Sequence, residues 1–268
     1  MLLTPVTSRT RLALSDRAAA APDELLSGPA LKEALKAEVE ELGRLQALLY
    51  ADRRYALLVV LQGRDASGKD GTIRKVFDGC NPMGCQVTSF GVPTALELAH
   101  DFLWRIHAAV PPRGFVGIFN RSHYEDVLAV RVRHLAPPSV WRARYGQIND
   151  FERMLARNNV VVLKFLLHIS RAEQRERLLD RLRNPRKNWK FNPGDLEERG
   201  RWGAYTSAYR DVLRRCSTSS APWFVVPADS NTVRNYLVTT TINATLRRLK
   251  LRYPRVSPAV RRLAAALK

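Results

Sequence analysis

The sequence contains little cysteine, no long apolar run and few acidic residues for its number of basic ones. Three cysteines in 268 residues are too few for a disulfide framework, and Cys80-x4-Cys85 has no second ligand pair for structural zinc. We therefore expect free thiols and a cytoplasmic protein. No apolar run approaches the roughly 20 residues of a membrane span, and the N-terminus has no secretory signal pattern, so we expect no membrane partner.

Several recognition signatures are also missing. The sequence has no zinc finger, no aromatic RNA-binding motif and no alternation of basic and aromatic residues, so we expect no specific nucleic-acid partner. The Asn-Lys-x-Asp motif that reads guanine is absent, which argues against a GTPase. His123, His134 and His168 lack a metal spacing such as His-x3-His, and no internal repeat is visible.

The charge balance is strongly basic, with 44 Lys and Arg against 25 Asp and Glu and a net charge of +19. Such an excess predicts a polyanionic partner. Nucleic acid, an anionic membrane surface and a chain of inorganic phosphates all satisfy this criterion. The apolar fraction of 46% is typical of a folded domain, and the length is sufficient for one substantial core.

Residues 63–72 read G-R-D-A-S-G-K-D-G-T and directly follow the apolar run 55–61. The spacing Gly63-x4-Gly68-Lys69 between a strand and a helix is that of a Walker A loop. In such a loop the backbone N–H groups surround a phosphate, and the helix N-terminus and the lysine add positive charge. We predict that phosphate is bound by Gly63, Ala66, Ser67, Gly68, Lys69, Asp70 and Gly71.

The carboxylates near this loop have more than one interpretation. Asp70 occupies the place of the Ser or Thr that normally holds Mg²⁺; it either binds metal or simply suits the helix N-terminus. Asp65 would repel bound phosphate unless it binds a metal or a substrate proton. Its alternative role is hydrogen bonding to loop amides.

A second polar cluster follows the third apolar strand, in the stretch F-N-R-S-H-Y-E-D at 119–126. P-loop proteins often carry an acidic ligand for Mg²⁺ at this strand end, where this chain has Asn120. Glu125 and Asp126, one helical turn later, could supply the missing charge; alternatively, Glu125 completes the capping box Ser122-x-x-Glu125. Arg121 is placed to reach a transferring phosphate.

A basic segment follows at 181–190, with Arg181, Arg183, Lys187 and Lys190 as candidate phosphate ligands. Such a segment can close as a lid that excludes water, or it can be an ordinary solvated loop. Arg131 and Arg133, on the helix after the third strand, are further candidates for phosphate binding.

Apolar strands alternate with helical patterns through most of the chain, at 55–62, 86–92, 114–119, 160–169 and 222–227. This order predicts an α/β fold in which a parallel sheet is covered by helices on both faces. We predict a mobile N-terminal arm at 1–28, a kinase domain at 29–250 and a basic C-terminal tail at 251–268. The tail is either a solvated helix face or an anion-binding patch.

Four segments together resemble the family-two polyphosphate kinases: 63–72, 100–107 (H-D-F-L-W-R-I-H), 119–128 and 187–199. The similarity covers about 30–250. It implies a three-layer α/β/α sandwich of the P-loop kinase type, with a basic lid at about 181–199. It also implies phosphoryl transfer from inorganic polyphosphate to nucleotides, reversibly, with Mg²⁺ or Mn²⁺, in a homotetramer or homodimer. It also assigns Lys69 to phosphate binding, Asp65 to the metal or the acceptor, and Arg121 to the transferring phosphate.

Two positions depart from the common pattern of that family, because many members have Asp where this chain has Asn120 and Asn where it has Glu125. The exchange resembles the class III subgroup, which accepts nucleoside mono- and diphosphates. The resemblance then makes Asp65 and Glu125 the better candidates for metal ligands and Asp126 a weaker one, with Asn120 and Arg121 at the nucleotide. The catalytic set becomes Asp65, Lys69, Arg121 and Glu125. An ATP-dependent small-molecule or nucleoside kinase and a P-loop nucleic-acid binder are the alternatives.

Overall fold

A single parallel sheet forms the centre of the computed structural model, which describes residues 2–260 and 263. Its strand order is β2-β3-β1-β4-β5, so β1 pairs with β3 on one side and with β4 on the other. The strands are β1 (Ala56–Gln62), β2 (Cys85–Ser89), β3 (Val116–Asn120), β4 (Val160–His168) and β5 (Trp223–Pro227).

Helices connect the strands and cover both faces of the sheet. They are α1 (Gly28–Asp52), α2 (Lys69–Val76), α3 (Ala95–Leu98), α4 (Trp104–Ala108), α5 (Ala129–Val132), α6 (Pro138–Arg157), α7 (Arg171–Arg183), α8 (Gly194–Gly200), α9 (Trp202–Cys216) and α10 (Asn231–Arg248). Short 3-10 turns occur at Asp16–Ala19, Pro82–Gly84, His123–Asp126 and Asn188–Lys190. Within residues 2–260, none of the helices combines the length and the apolarity that crossing a bilayer demands.

The central strand shows why the domain has three layers. All seven residues of β1 are buried, and neighbouring side chains point to opposite faces. Leu57 and Val59 pack in one cluster with the apolar stripe of α1 and with α10. Leu58 and Val60 pack on the other face, where α6 supplies Phe151. A strand buried on both faces is what a covered parallel sheet requires, and the predicted α/β/α sandwich is confirmed.

Two predicted helices are shorter than the sequence indicated. The spacing Thr94-x-x-Glu97 predicts a capped helix that continues to about His107. The capping box is present, but the helix is divided into α3 and α4. The segment after β3 forms a 3-10 turn and the short α5 instead of one helix. The capping box predicted there does not form as expected: Ser122 accepts from the amide of Tyr124, and the carboxylate of Glu125 binds Gln62 instead.

The N-terminal segment lies packed against the domain, which differs from the mobile arm expected for 1–28. The amide of Val6 donates to the carbonyl of Trp223 at 2.8 Å, and the amide of Asp229 donates to the carbonyl of Ala19 at 3.1 Å. His168 at the end of β4 contacts the carbonyl of Ser15 at 2.9 Å. These partners belong to residues far away in the sequence, so no pattern within 1–28 predicts the contacts.

The basic tail begins as an extended segment, and the amide of Arg252 donates to Asp52 Oδ2 at 2.7 Å. Beyond residue 260 only residue 263 belongs to the described chain, so the predicted role of the tail falls largely outside it.

The sheet register places the two polar motifs side by side. Leu61 in β1 lies opposite Asn120 in β3, and both strands run in the same direction. The loops that follow them therefore leave the sheet at the same edge, where parallel α/β proteins bind ligands.

Candidate active site

The glycine-rich turn after β1 adopts a curled conformation. Gly68 caps α2 with a φ of 96°, and Ala66 also has a left-handed φ, of 62°. Lys69 Nζ reaches back across the turn and donates to the carbonyls of Gly63 at 2.8 Å and Arg64 at 3.3 Å. Burial lowers the pKa of Lys69 to about 8, with Arg121 adding to the effect. The turn thus concentrates positive charge in a partly dehydrated place.

Two cavities meet beside this turn. A cleft of about 1380 Å³ runs between the phosphate turn and the lid, and a smaller cavity of about 330 Å³ is lined by the segments that follow β1, β2 and β3 and by the lid. Four residues line both of them: Asp65 and Arg121, and from the lid Asn192 and Asp195. A group that moved from one cavity to the other would therefore pass the Asp65–Arg121 pair and these two lid residues.

The two cavities differ in chemistry. Ten cationic side chains and six carboxylates line the larger cleft, which gives it an excess of positive charge. The smaller cavity has four cationic side chains and five carboxylates, so it has no such excess. Its wall is instead partly apolar, through Phe90, Val92, Pro93, Val130 and Leu135.

Asp65 and Arg121 form an ion pair where the cavities join. Arg121 Nη2 donates to Asp65 Oδ1 at 2.8 Å. Burial opposes its charge, yet Glu125 and Asp65 hold the pKa of Arg121 above its usual value. Arg121 has a left-handed φ of 63°, an uncommon value for a residue with a side chain.

Glu125 lies on the other side of Arg121 and is held by a residue that sequence reasoning missed. Gln62, the fully buried last residue of β1, donates through Nε2 to Glu125 Oε1 at 3.1 Å. No pattern in the sequence singles out Gln62. It is the last residue of a strand, and its partner Glu125 comes close only when the fold brings β1 and the 119–126 segment together.

Asp65 and Glu125 are the side chains whose positions suit ligands of a divalent ion. Both line the smaller cavity, each with one oxygen engaged by the bonds just described. Within the described part of the chain, no three Asp, Glu, His or Cys side chains gather as a metal site. Two carboxylates fit Mg²⁺ when phosphate oxygens and water complete its shell, as is common in phosphoryl-transfer sites. Asp126, one residue further, is paired instead with Arg144 at 3.0 Å.

Asn120 and Asp70 contact each other rather than an open metal position. Asn120 Nδ2 donates to Asp70 Oδ1 at 2.9 Å, and both residues line the larger cleft. Lys190 Nζ, from the lid, lies 3.8 Å from Asp70 Oδ2. Asp70 thus connects the phosphate turn to the lid.

Two further lid cations are paired with carboxylates of the lid or of α7. Arg181 donates to Asp195 at 3.0 Å, and Lys187 lies 2.5 Å from Asp180. Both cations line the larger cleft. Arg183 does not: it is exposed and lines neither cavity.

The two arginines predicted on the helix after β3 are separated by the fold. Arg133 lines the smaller cavity and pairs with Glu198 at 2.8 Å. Arg131 lines neither cavity, because its guanidinium pairs with Asp211 at 2.6 Å and stacks near Trp141. The structure therefore places Arg131 away from the other predicted phosphate ligands.

Comparison with known proteins agrees with this geometry. The family model described as polyphosphate kinase 2 matches residues 26–253. The chain belongs to this family. It is 55% identical over 227 residues to an AMP/ADP-polyphosphate phosphotransferase of Meiothermus ruber, with 85% of each chain covered.

Other relatives extend the same result. An ADP-polyphosphate phosphotransferase of Rhodopseudomonas palustris is 46% identical over 242 residues, which cover 86% of this chain and 84% of that one. The crystal structure of polyphosphate kinase 2 from Arthrobacter aurescens TC1 has a TM-score of 0.93 and 37% identity, covering 98% of this chain and 95% of that chain. The resemblance seen in four sequence segments is confirmed.

Three arginines that the sequence did not single out surround the phosphate turn of this polyphosphate kinase 2 member. Arg64 lies 4.0 Å from the centre of the Trp202 ring and donates to Thr206, which ties the turn to α9. Arg177 donates to the carbonyl of Ala66 at 3.1 Å. Arg234, in α10, donates to the carbonyl of Ser67.

Of these, only Arg177 had a usable signal in the sequence. Glu173, Arg177 and Arg181 are spaced four residues apart, so they share one face of α7. That face lines the larger cleft.

A buried polar cluster supports the segment after β3 from behind. Lys164, a single cation inside the apolar strand β4, donates to Glu152 Oε2 at 2.5 Å and to the Tyr124 hydroxyl at 2.8 Å. His123 Nε2 lies 3.1 Å from Glu152 Oε1. Because Tyr124 and His123 adjoin Arg121 and Glu125 in the chain, the cluster anchors the segment that carries both site residues.

Proposed function

We propose that this chain is a polyphosphate-dependent nucleotide kinase. It transfers a phosphoryl group reversibly between inorganic polyphosphate and nucleoside mono- and diphosphates, converting AMP to ADP and ADP to ATP. The observation that carries this proposal is the meeting of a basic cleft and a partly apolar cavity at Asp65 and Arg121. The printed activities of the relatives from Meiothermus ruber and Rhodopseudomonas palustris support it.

The larger cleft suits the donor. Polyphosphate carries about one negative charge per phosphate and no apolar group, so it requires a long cationic groove. The cleft has this character from the phosphate turn to the lid, with Lys69 at one end and Lys190 beside Asp70. The lid cations can leave their carboxylate partners and bind the phosphates of a polyphosphate chain there. The ion pairs that hold them are largely exposed and therefore weak.

The smaller cavity suits the nucleotide. Its apolar wall around Phe90, Val92 and Leu135 can contact a base and ribose, and its polar end opens at Arg121. The terminal phosphate of the acceptor would then meet the end of the polyphosphate chain at the Asp65–Arg121 pair.

The chemistry required is positioning and charge neutralisation. Lys69 and Arg121 oppose the negative charge that gathers on the transferring group. Asp65 and Glu125 would hold Mg²⁺ or Mn²⁺, which when bound neutralises charge on the phosphate oxygens. Closure of the 181–199 lid would exclude water, which otherwise hydrolyses the donor.

A direct assay tests the proposal. Purified protein with polyphosphate as the sole donor should form ADP from AMP and ATP from ADP, whereas ATP with small-molecule or nucleoside acceptors should give no product. Lys69→Ala and Asp65→Asn should each reduce turnover at least about a hundredfold, the typical loss for a transition-state contact. Lys36→Ala, on the exposed side of α1, is the matched control and should leave turnover unchanged. Full activity in either site variant, with unchanged circular dichroism, would contradict the assignment.

We further propose that the enzyme works in the cytoplasm as a homodimer or homotetramer with Mg²⁺ or Mn²⁺. The three cysteines are free thiols, which suits a reducing compartment. Light scattering on the purified protein tests the assembly. Titration of each ion after treatment with EDTA tests the metal, since activity should return with either ion.

A further inference from the structure

Arg234 is a buried arginine that comes from the last helix and lies against the phosphate turn. It is 2% exposed. Its Nη1 donates to Asn231 Oδ1 at 2.6 Å and to the carbonyl of Ser67 at 3.4 Å. Its Nε and Nη2 donate to Asn235 Oδ1 at 3.2 and 3.1 Å.

All these acceptors are neutral amide oxygens. Among the described residues no carboxylate pairs with Arg234, and burial followed by the repulsion of Arg177 lowers its pKa to about 10. A buried charge without a counter-charge destabilises a folded protein. The free protein therefore carries an electrostatic cost at this position that its own fold does not offset.

Arg177 provides an internal comparison. It also donates to the phosphate turn, through the carbonyl of Ala66, but it pairs with Glu173 at 2.8 Å. An arginine that only braces the turn can thus have a carboxylate partner in this fold. Arg234 has none among the described residues, although its hydrogen bond to the turn is of the same kind.

The guanidinium of Arg234 occupies the space directly beneath two glycines of the turn. A Cβ atom at Gly68 would lie 2.7 Å from Arg234 Cζ, and one at Gly71 would lie 3.5 Å from Nη2. Arg234 also lines the larger cleft together with Asn231 and Asn235, in the first turns of α10. Its charge thus faces the region where the proposed donor binds.

We propose that Arg234 is a positioning residue for the phosphate turn and that polyphosphate bound at the turn supplies its missing counter-charge. The hydrogen bond to Ser67 holds the turn open toward the cleft, and the charge favours anion binding. This inference rests on the proposed function, because it assumes that polyphosphate occupies the larger cleft.

If this inference is right, removing the charge of Arg234 should weaken polyphosphate binding without destabilising the free protein. Arg234→Met keeps much of the side-chain volume and removes the charge, whereas Arg234→Lys keeps the charge. Arg248→Met, at an exposed position in the same helix, is the matched control for net charge. Binding of inorganic polyphosphate, without nucleotide, is measured by calorimetry at pH 7 and constant salt, and melting temperatures are measured without and with polyphosphate.

We expect Arg234→Met to weaken polyphosphate binding about tenfold, the equivalent of one charge-assisted contact. Arg248→Met should stay within about twofold of the unaltered protein, and Arg234→Lys within about threefold. The free Arg234→Met protein should melt at the same temperature or higher, because an uncompensated buried charge is gone, while its stabilisation by polyphosphate should shrink.

A purely structural arginine would behave differently. Loss of folding or a clearly lower melting temperature in Arg234→Met, or unchanged polyphosphate affinity, overturns the inference. Arg234→Lys binding as weakly as Arg234→Met also overturns it, since the charge would then not be the active property. If the unaltered protein itself fails to bind polyphosphate, the proposed function fails first, and this result is distinguishable from the others.

Discussion

Arg121, at the end of β3, donates to Asp65 in the phosphate turn at 2.8 Å and so joins the two strand ends that carry the chemistry. Both residues line both cavities. The pair therefore stands where the proposed donor and acceptor phosphates meet. Arg121 has a left-handed backbone where the chain leaves β3.

The planar arrangement of N–H donors on the Arg121 guanidinium should contribute to catalysis as well as its charge. Arg121→Lys keeps the positive charge and loses the planar arrangement of donors, so we expect kcat to fall about 10- to 100-fold. The KM values should change much less, because the planar donors act mainly in the transition state and do not bind substrate and transition state equally. Steady-state kinetics with ADP and polyphosphate measure both. Arg248→Lys, at an exposed site in α10, serves as the control, and normal kcat in Arg121→Lys would remove Arg121 from the reacting centre.

The charge of Lys69 predicts a pH dependence of polyphosphate binding. Its pKa in the free protein is about 8, and a bound phosphate favours the charged form. Affinity should therefore be flat below pH 8 and fall up to about tenfold per pH unit above it. Calorimetry between pH 7 and 9 measures the slope. Lys69→Arg keeps its charge over this range, so it should show no such fall; equal slopes would exclude Lys69 as the titrating group.

The same pKa gives a stability effect of defined sign. Lysine in the unfolded chain titrates near pH 10.4, so the unfolded state binds more protons than the folded state between about pH 8 and that value. The contribution of Lys69 to the free energy of unfolding should then rise with pH in this window. Urea denaturation of the unaltered protein and Lys69→Arg, compared across pH 8 to 10, should show this difference.

Asp70 should restrain the lid rather than hold metal. Its carboxylate contacts Asn120 and faces Lys190 at 3.8 Å. Asp70→Asn can keep the first contact and releases Lys190 for phosphate, so we expect polyphosphate affinity to rise up to about fivefold, the range of an exposed ion pair. Asp78→Asn, on the same cleft, removes an equal charge near Lys75 and is the control. A fall in kcat that extra Mg²⁺ restores would show instead that Asp70 is a metal ligand.

The buried Lys164–Glu152 pair should dominate the stability of the segment behind the site. Glu152→Gln leaves Lys164 charged and fully buried, so we expect the protein to lose about 3–5 kcal/mol of unfolding free energy. Urea denaturation measures this loss. Asp150→Asn, an exposed residue on the same helix, should change little.

A paired change separates charge from shape at this cluster. Lys164→Met combined with Glu152→Leu removes both charges, and most of the lost stability should return. Stability of Glu152→Gln within about 1 kcal/mol of the unaltered protein would mean that the pair is not the anchor.

Sequence alone was sufficient for the phosphate turn, the parallel sheet and the family. Gly68 and Lys69 lie next to each other in the chain, and the turn they form depends on local backbone geometry and on the apolar strand before it. The same holds for the cap of α7, which the spacing Ser170-x-x-Glu173 predicts: the Ser170 hydroxyl accepts from the amide of Glu173. Short-range contacts can be predicted from a sequence because both partners lie within one turn of each other in the chain.

Only the tertiary structure decided which distant residues join that turn. Arg234 reaches Ser67 across 167 positions, Gln62 reaches Glu125 across 63, and the N-terminal segment docks on β5 through backbone groups. It also separated Arg133, which lines a cavity, from Arg131, which binds Asp211 outside both cavities. Such pairings depend on how whole helices and strands pack against each other. The free energy that determines this packing comes from many contacts throughout the core, so no single segment of the sequence specifies it.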